Sequence, residues 1–190
     1  MKWLIRVALL LSVALNAYFI FDEIRVRRNR EFGNALNSAM GGELSKATWN
    51  QGMEIFTNKI KNKKALLSKK YYYINVWTNW CAPCIKEMPW LDSLAGTLNK
   101  DVGYIFVSDI SDKAATDCMK RKNYNLKNFT FLNDMSDFVS GICNEQRIKN
   151  KVYPMVLILD QKGKIHHYST GAYENAKEAQ EFVDIINKLP

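Results

Sequence analysis

Four cysteines and two adjacent histidines are all the thiol and imidazole groups that 190 residues provide. So few cysteines exclude a disulfide-dense scaffold. Nine glycines and four prolines are too few for a collagen-like or low-complexity chain. No internal repeat breaks the sequence into equal units. Acidic residues are outnumbered, 19 against 27 basic ones, which gives a formal charge of +8. The lysines and arginines are spread over many segments, with local clusters at Arg25–Arg30 and Lys59–Lys64. They read as solvated faces, and no nucleic-acid partner is expected from charge. What the chain does have is 47% hydrophobic and 12% aromatic residues, enough for one packed domain with an appendage.

There is a single long apolar run. Trp3–Phe21 is nineteen residues with one charge, Arg6, close to the roughly 20 needed to cross a bilayer. Arg6 is near enough to the end to snorkel. Lys2 and Arg6 also suit a signal peptide, but the small-residue pattern for cleavage is poor around Asn16 and Ala17. The expectation is an uncleaved signal anchor over residues 1–22, then a charged helix and linker over 23–45, and the folded domain over 46–190. Flanking charge bears on orientation. Lys2 and Arg6 precede the span, while Arg25, Arg27, Arg28 and Arg30 follow it, which by the positive-inside rule favours a cytoplasmic domain.

Trp49, Met53, Phe56 and Ile60 recur at helical spacing, although a strand hairpin also fits there. The lysine-rich stretch to Lys70 reads as a solvated connection. Tyr71–Trp77 (YYYINVW) is β-prone and apolar, as a buried central strand should be. A helix is predicted from Cys84 to about Leu98, interrupted by Pro89. A buried strand follows at Val102–Ser108, then a helix from about Lys113 to Tyr124, capped by Ser111 or Asp112. Next come a short strand at Asn128–Leu132, a helix at Met135–Arg147, and a strand at Tyr153–Asp160. The turn Gln161-Lys162-Gly163 leads into a strand at Lys164–Ser169. A last helix, Tyr173–Leu189, has Ala176, Ala179, Phe182, Val183 and Ile186 along one face. Strands alternating with helices and ending in a hairpin imply an α/β sheet with helices on both faces.

The chemistry is concentrated in Trp80-Cys81-Ala82-Pro83-Cys84. A strand running straight into a helix places Cys81 at the helix amino terminus, where free N–H groups and the helix dipole favour a thiolate. Such positions lower a thiol pKa from about 8.5 into a range of roughly 3.5–7.5. Cys84, one turn on, lies on the same face and can attack a mixed disulfide formed at Cys81. Pro83 suits the first turn, where its missing N–H is no loss. Cys81 is thus the candidate attacking thiol and Cys84 the resolving one. Zinc would require a second pair of ligands, and neither the isolated Cys118 and Cys143 nor the adjacent His166 and His167 form one. No metal and no cofactor beyond the cysteine pair is expected.

Three stretches together resemble the thioredoxin-like superfamily, specifically the membrane-anchored TlpA/ResA-type thiol–disulfide oxidoreductases. They are Asn75–Pro89 (NVWTNWCAPCIKEMP), Val152-Tyr153-Pro154-Met155, and Leu159–Ile165 (LDQKGKI). The resemblance covers residues 71–190. It implies a thioredoxin-like fold, a central mixed sheet flanked by helices, with an N-terminal transmembrane anchor helix. It makes Pro154 the cis-proline beside the dithiol, with Tyr153 and Trp80 in substrate binding. It makes Glu87 a group that exchanges a proton with Cys84; a carboxylate simply favoured in the first helical turn is the alternative. Asn75 takes the place of a buried aspartate usual in cytosolic thioredoxins, and Pro89 that of a helix-kinking proline.

The activity so implied is disulfide exchange with cysteine-containing protein substrates, with reduction as the favoured direction, for example in cytochrome c maturation or redox homeostasis. The implied partner is a membrane thiol–disulfide electron donor. The implied location is the bacterial cytoplasmic membrane, single-pass, with the domain facing the periplasm or cell exterior, against the arginine count. There a structural disulfide between Cys118 and Cys143 is conceivable, though inert buried thiols are the default reading. A thioredoxin-fold copper-binding chaperone is the alternative from another class. That family uses CxxxC with a histidine, where this chain has CxxC. Asn128-Phe129-Thr130 matches a glycosylation acceptor and carries little weight in the bacterial setting that the resemblance implies.

Overall fold

The most apolar stretch of the chain becomes the middle of its sheet. In a computed structural model that describes residues 44–60, 63–145, 151–173 and 176–190, β1 (Tyr71–Trp77) is buried along its whole length. It pairs in parallel with β2 (Val102–Ser108), from Tyr71 opposite Val102 to Trp77 opposite Ser108. Its other edge pairs antiparallel with β4 (Met155–Asp160), from Tyr71 opposite Asp160 to Val76 opposite Met155. Outside these lie β3 (Thr130–Leu132), parallel to β2, and β5 (Ile165–Thr170), antiparallel to β4. The order is β3-β2-β1-β4-β5, a five-stranded mixed sheet.

Alternation along β1 feeds two cores. Tyr72, Ile74 and Val76 face one layer, with Trp49 and Phe56 of α1 (Lys46–Lys59) and Phe138 and Ile142 of α5 (Ser136–Glu145). Tyr73 and Trp77 face the other. They meet Ile85, Met88 and Leu91 of α3 (Ala82–Ala95), Ala115 and Cys118 of α4 (Asp112–Lys122), and Phe182 and Ile186 of α6 (Ala176–Asn187). Successive strand residues point to opposite faces, so one sequence of seven residues joins both layers. Each fully buried aromatic or branched side chain contributes on the order of 1.5–3 kcal/mol.

Several expectations are sharpened or corrected. The Trp49–Ile60 pattern is a helix, not a hairpin: Ser45 caps it, its hydroxyl accepting from the Thr48 N–H. The stretch before Lys70 is not wholly a solvated connection, since it contains a short helix, α2 (Lys63–Leu67), whose Leu66 is buried in the first core layer. β4 starts at Met155 rather than Tyr153, because residues 153 and 154 form the turn that enters it. In the β4–β5 turn Gly163 has φ 84°, and an added Cβ would come within 2.9 Å of the Trp49 ring. Glycine is needed there for both reasons. The segment before β3 is pinned by Asp92 of α3, whose carboxylate accepts from the N–H groups of Lys127, Asn128 and Phe129 at 2.8–3.0 Å. The expected membrane span and the linker to residue 43 lie outside the described residues. Among the described residues no helix is long and apolar enough to cross a membrane.

Candidate active site

Where β1 ends, Thr78–Trp80 turn the chain and Cys81 caps α3. The Cys81 N–H donates to the Thr78 carbonyl at 3.1 Å, its carbonyl accepts from Ile85 at 3.1 Å, and its Sγ accepts from the Cys84 N–H at 3.3 Å. Pro83 falls in the first turn of the helix. Cys81 and Cys84 are joined by a disulfide. Cys84 is 1% exposed and Cys81 5%, while the neighbouring Trp80 stands 72% exposed. The N–H aimed at Cys81 Sγ would serve a thiolate after reduction, since hydrogen bonding to a charged form favours it.

One turn beyond Cys84, Glu87 is buried on the same side of α3. Its carboxylate accepts from Asn75 Nδ2 at 2.9 Å and from the Tyr173 backbone N–H at 3.0 Å. Burial pushes the carboxyl up to about 7, the two hydrogen bonds only partly opposing it. Asn75 Oδ1 is buried with no hydrogen-bond partner among the described residues. The Tyr73 and Tyr173 hydroxyls are held above their usual range by burial and, less strongly, by nearby groups that include Glu87. Glu87 therefore lies among buried neutral groups, poised to change protonation near neutral pH.

The Tyr153–Pro154 bond is cis, and the Pro154 carbonyl accepts from the Gly171 N–H at 2.9 Å. Tyr153 meets the Trp80 ring edge-on, 5.3 Å between centroids, so the cysteine turn and the proline turn touch. The Tyr153 hydroxyl donates to Asp109 Oδ2 at 3.1 Å, and Lys151 Nζ reaches the same oxygen at 3.2 Å. Asp109 was not among the sequence candidates. The signal for it was positional: it follows directly on β2, whose carboxyl end lies beside that of β1, where α/β sheets place their ligands. The Tyr173 amide carries no sequence signal of its own.

Cys118 and Cys143 are not brought together. Cys118 is buried in the core layer under α3, Cys143 in the layer on the opposite face of the sheet, and both thiols are free. The conceivable bridge between them is thereby corrected: the sheet stands between the two sulfurs. His166 turns to Asp160 and to the Tyr71 ring. His167 has its Nε2 buried without a hydrogen-bond partner among the described residues, and burial holds it down at about 4.

Residues 50–185 match the redoxin family. The thioredoxin-like protein YneN of Bacillus subtilis is 24% identical over 191 residues, covering 97% of this chain and 98% of the relative. The thiol:disulfide interchange protein DsbE of Haemophilus influenzae is 26% identical over 197 residues, covering 100% of this chain and 98% of the relative. A solved thiol:disulfide interchange protein of the thioredoxin family from Chlorobium tepidum superposes with a TM-score of 0.50 at 16% identity. That likeness covers 64% of this chain and 80% of the other, and shows a shared thioredoxin-like fold.

Proposed function

Because the chain belongs to the redoxin family and is a thiol–disulfide oxidoreductase, we propose that it reduces disulfides in extracytoplasmic proteins. Residues 1–22 would hold it in the bacterial cytoplasmic membrane, and a membrane dithiol would return it to the reduced state. The observation that carries the reading is the dithiol itself: Cys81 caps a helix with an N–H on its sulfur, and a buried carboxyl sits one turn beyond Cys84. The full length matched to DsbE, a protein named for thiol:disulfide interchange, supports it.

The exchange balances without a further cofactor. The Cys81 thiolate attacks one sulfur of the substrate disulfide, forming a mixed disulfide and releasing the first substrate thiolate. Cys84 then loses its proton to the Glu87 carboxylate and attacks Cys81 Sγ. The Cys81–Cys84 bond forms, the second substrate thiolate leaves, and two electrons have passed to the substrate. The donor repeats the sequence in the other direction, breaking Cys81–Cys84. Tyr153 and Pro154 would hold the substrate backbone extended, with Trp80 against it.

The test is reduction of insulin disulfides by the reduced protein. Wild type turns over, and Cys81→Ser does not; activity retained by Cys81→Ser would refute the assignment of the attacking thiol.

A further inference from the structure

Beside Trp80, α3 and α4 leave a groove of about 550 Å³ between them. Trp80 and Ala82 of the cysteine turn form part of its wall, so it opens directly beside the disulfide. Its apolar surface comes from Trp80, Ile85 and Tyr124, and its charged rim from Lys86, Arg121 and Lys122. All three cations are exposed. None of them is in a salt bridge among the described residues, and no acidic residue lines the groove. Asp117, the acidic side chain one turn before Arg121, is already held by Lys113 at 2.8 Å. Arg121 and Lys122 follow Cys118 by three and four positions, so their stems lie on the helix face that turns toward α3.

We propose that this groove docks an acidic, extended segment of the substrate protein, next to the cysteine presented to Cys81. The inference rests on the reading of Cys81–Cys84 as a disulfide-exchanging pair and names the class of protein it exchanges with. Three cations that form no salt bridge among the described residues, set around an apolar floor, suit Asp or Glu side chains spaced along a peptide. The long basic stems can lie over its backbone while the charges reach outward. Steering by such a rim acts mainly on association, and raises rates by 10-fold or more at low salt. Because Trp80 both lines the groove and meets the Tyr153 ring, the peptide would pass from one to the other along the exposed indole.

The test uses the reduced full-length chain and two peptides with the same internal disulfide, one flanked by Asp and Glu and the other by Lys. At low ionic strength the acidic peptide should be reduced about 10-fold faster, and the preference should shrink in high salt. Lys86→Glu, Arg121→Glu and Lys122→Glu combined should invert the ratio. Reversing Lys100, Lys162 and Lys164 instead should preserve it: these exposed lysines lie at the far end of β1, by the Tyr71–Val102 and Tyr71–Asp160 pairings. Equal rates for the two peptides would overturn the docking site, as would a preference that follows net charge wherever it is changed. Both outcomes leave the redox reading standing provided the wild type still reduces hydroxyethyl disulfide; failure on that neutral compound as well would overturn both.

Discussion

Replacing Glu87 by Gln should change how stability depends on pH, and the size of the change can be worked out. In the oxidised protein the Glu87 side chain is 4% exposed, and burial lifts it from 4.5 to about 7. Between those values the native carboxyl keeps a proton that the unfolded chain has released. The native state therefore binds more protons, and stability falls as pH rises from about 4.5 through about 7. At roughly 1.4 kcal/mol per pKa unit, the loss is about 3 kcal/mol. His167 works against it over nearly the same interval. Its native value near 4 lies below 6.5, so the unfolded state binds the extra proton there and stability rises with pH. The wild-type profile alone is thus a poor witness.

The difference between wild type and Glu87→Gln removes His167 and every other shared group. Gln cannot accept from both Asn75 and Tyr173, so near pH 4.5 the variant should be weaker by about 1 kcal/mol. By pH 8 it should be the more stable protein, by about 2 kcal/mol. Urea unfolding of the oxidised forms, with the midpoint and m-value read at each pH, gives the comparison. Parallel curves, separated by a constant amount from pH 4.5 to 8, would show that Glu87 titrates normally and would remove its role as proton acceptor for Cys84.

Asp92→Ala should lower stability by about 3 kcal/mol, because three backbone N–H groups lose their acceptor in one step; a thermal or urea midpoint that barely moves would show that water replaces the carboxylate. A membrane-impermeant maleimide applied to intact cells, with the Cys81 peptide mapped afterwards, should label that residue without permeabilisation. Labelling only after permeabilisation would place the domain in the cytoplasm, as the flanking arginines suggest, and a dithiol found oxidised throughout would reverse the proposed direction.

The parts legible in the sequence were those specified by neighbours in the chain. YYYINVW running into WCAPC fixes strand, turn, cap and nucleophile within fourteen residues, and the observed β1 and α3 follow that pattern closely. Residues 46–60 were ambiguous because four apolar positions fit either a helix face or two short strands. The Ser45 cap and packing on Phe138 decide for the helix. α2, with five residues, is too short to show periodicity. What the sequence left open was relation through space. Nothing in the spacing of Cys118 and Cys143 tells which face of the sheet each helix covers. The Tyr173 amide reaches Glu87 from 86 positions away, and a backbone N–H is the same group in every residue but proline.

The order of burial around the disulfide also divides the reaction into steps with different dependence on solvent. Cys81 adjoins the exposed Trp80 and the groove between α3 and α4, so a substrate sulfur can reach it from outside. Cys84, at 1% exposure, is screened by the same turn and can act only on Cys81. In the proposed exchange its proton goes to the Glu87 carboxylate, buried one turn along the helix. Attack by Cys81 depends on its own thiolate, which the helix terminus and the Cys84 N–H favour. Resolution by Cys84, on the proposed mechanism, requires Glu87 to be ionised. On the proposed mechanism, formation of the mixed disulfide follows ionisation of Cys81 and its resolution follows ionisation of Glu87, so the two steps should respond separately to pH.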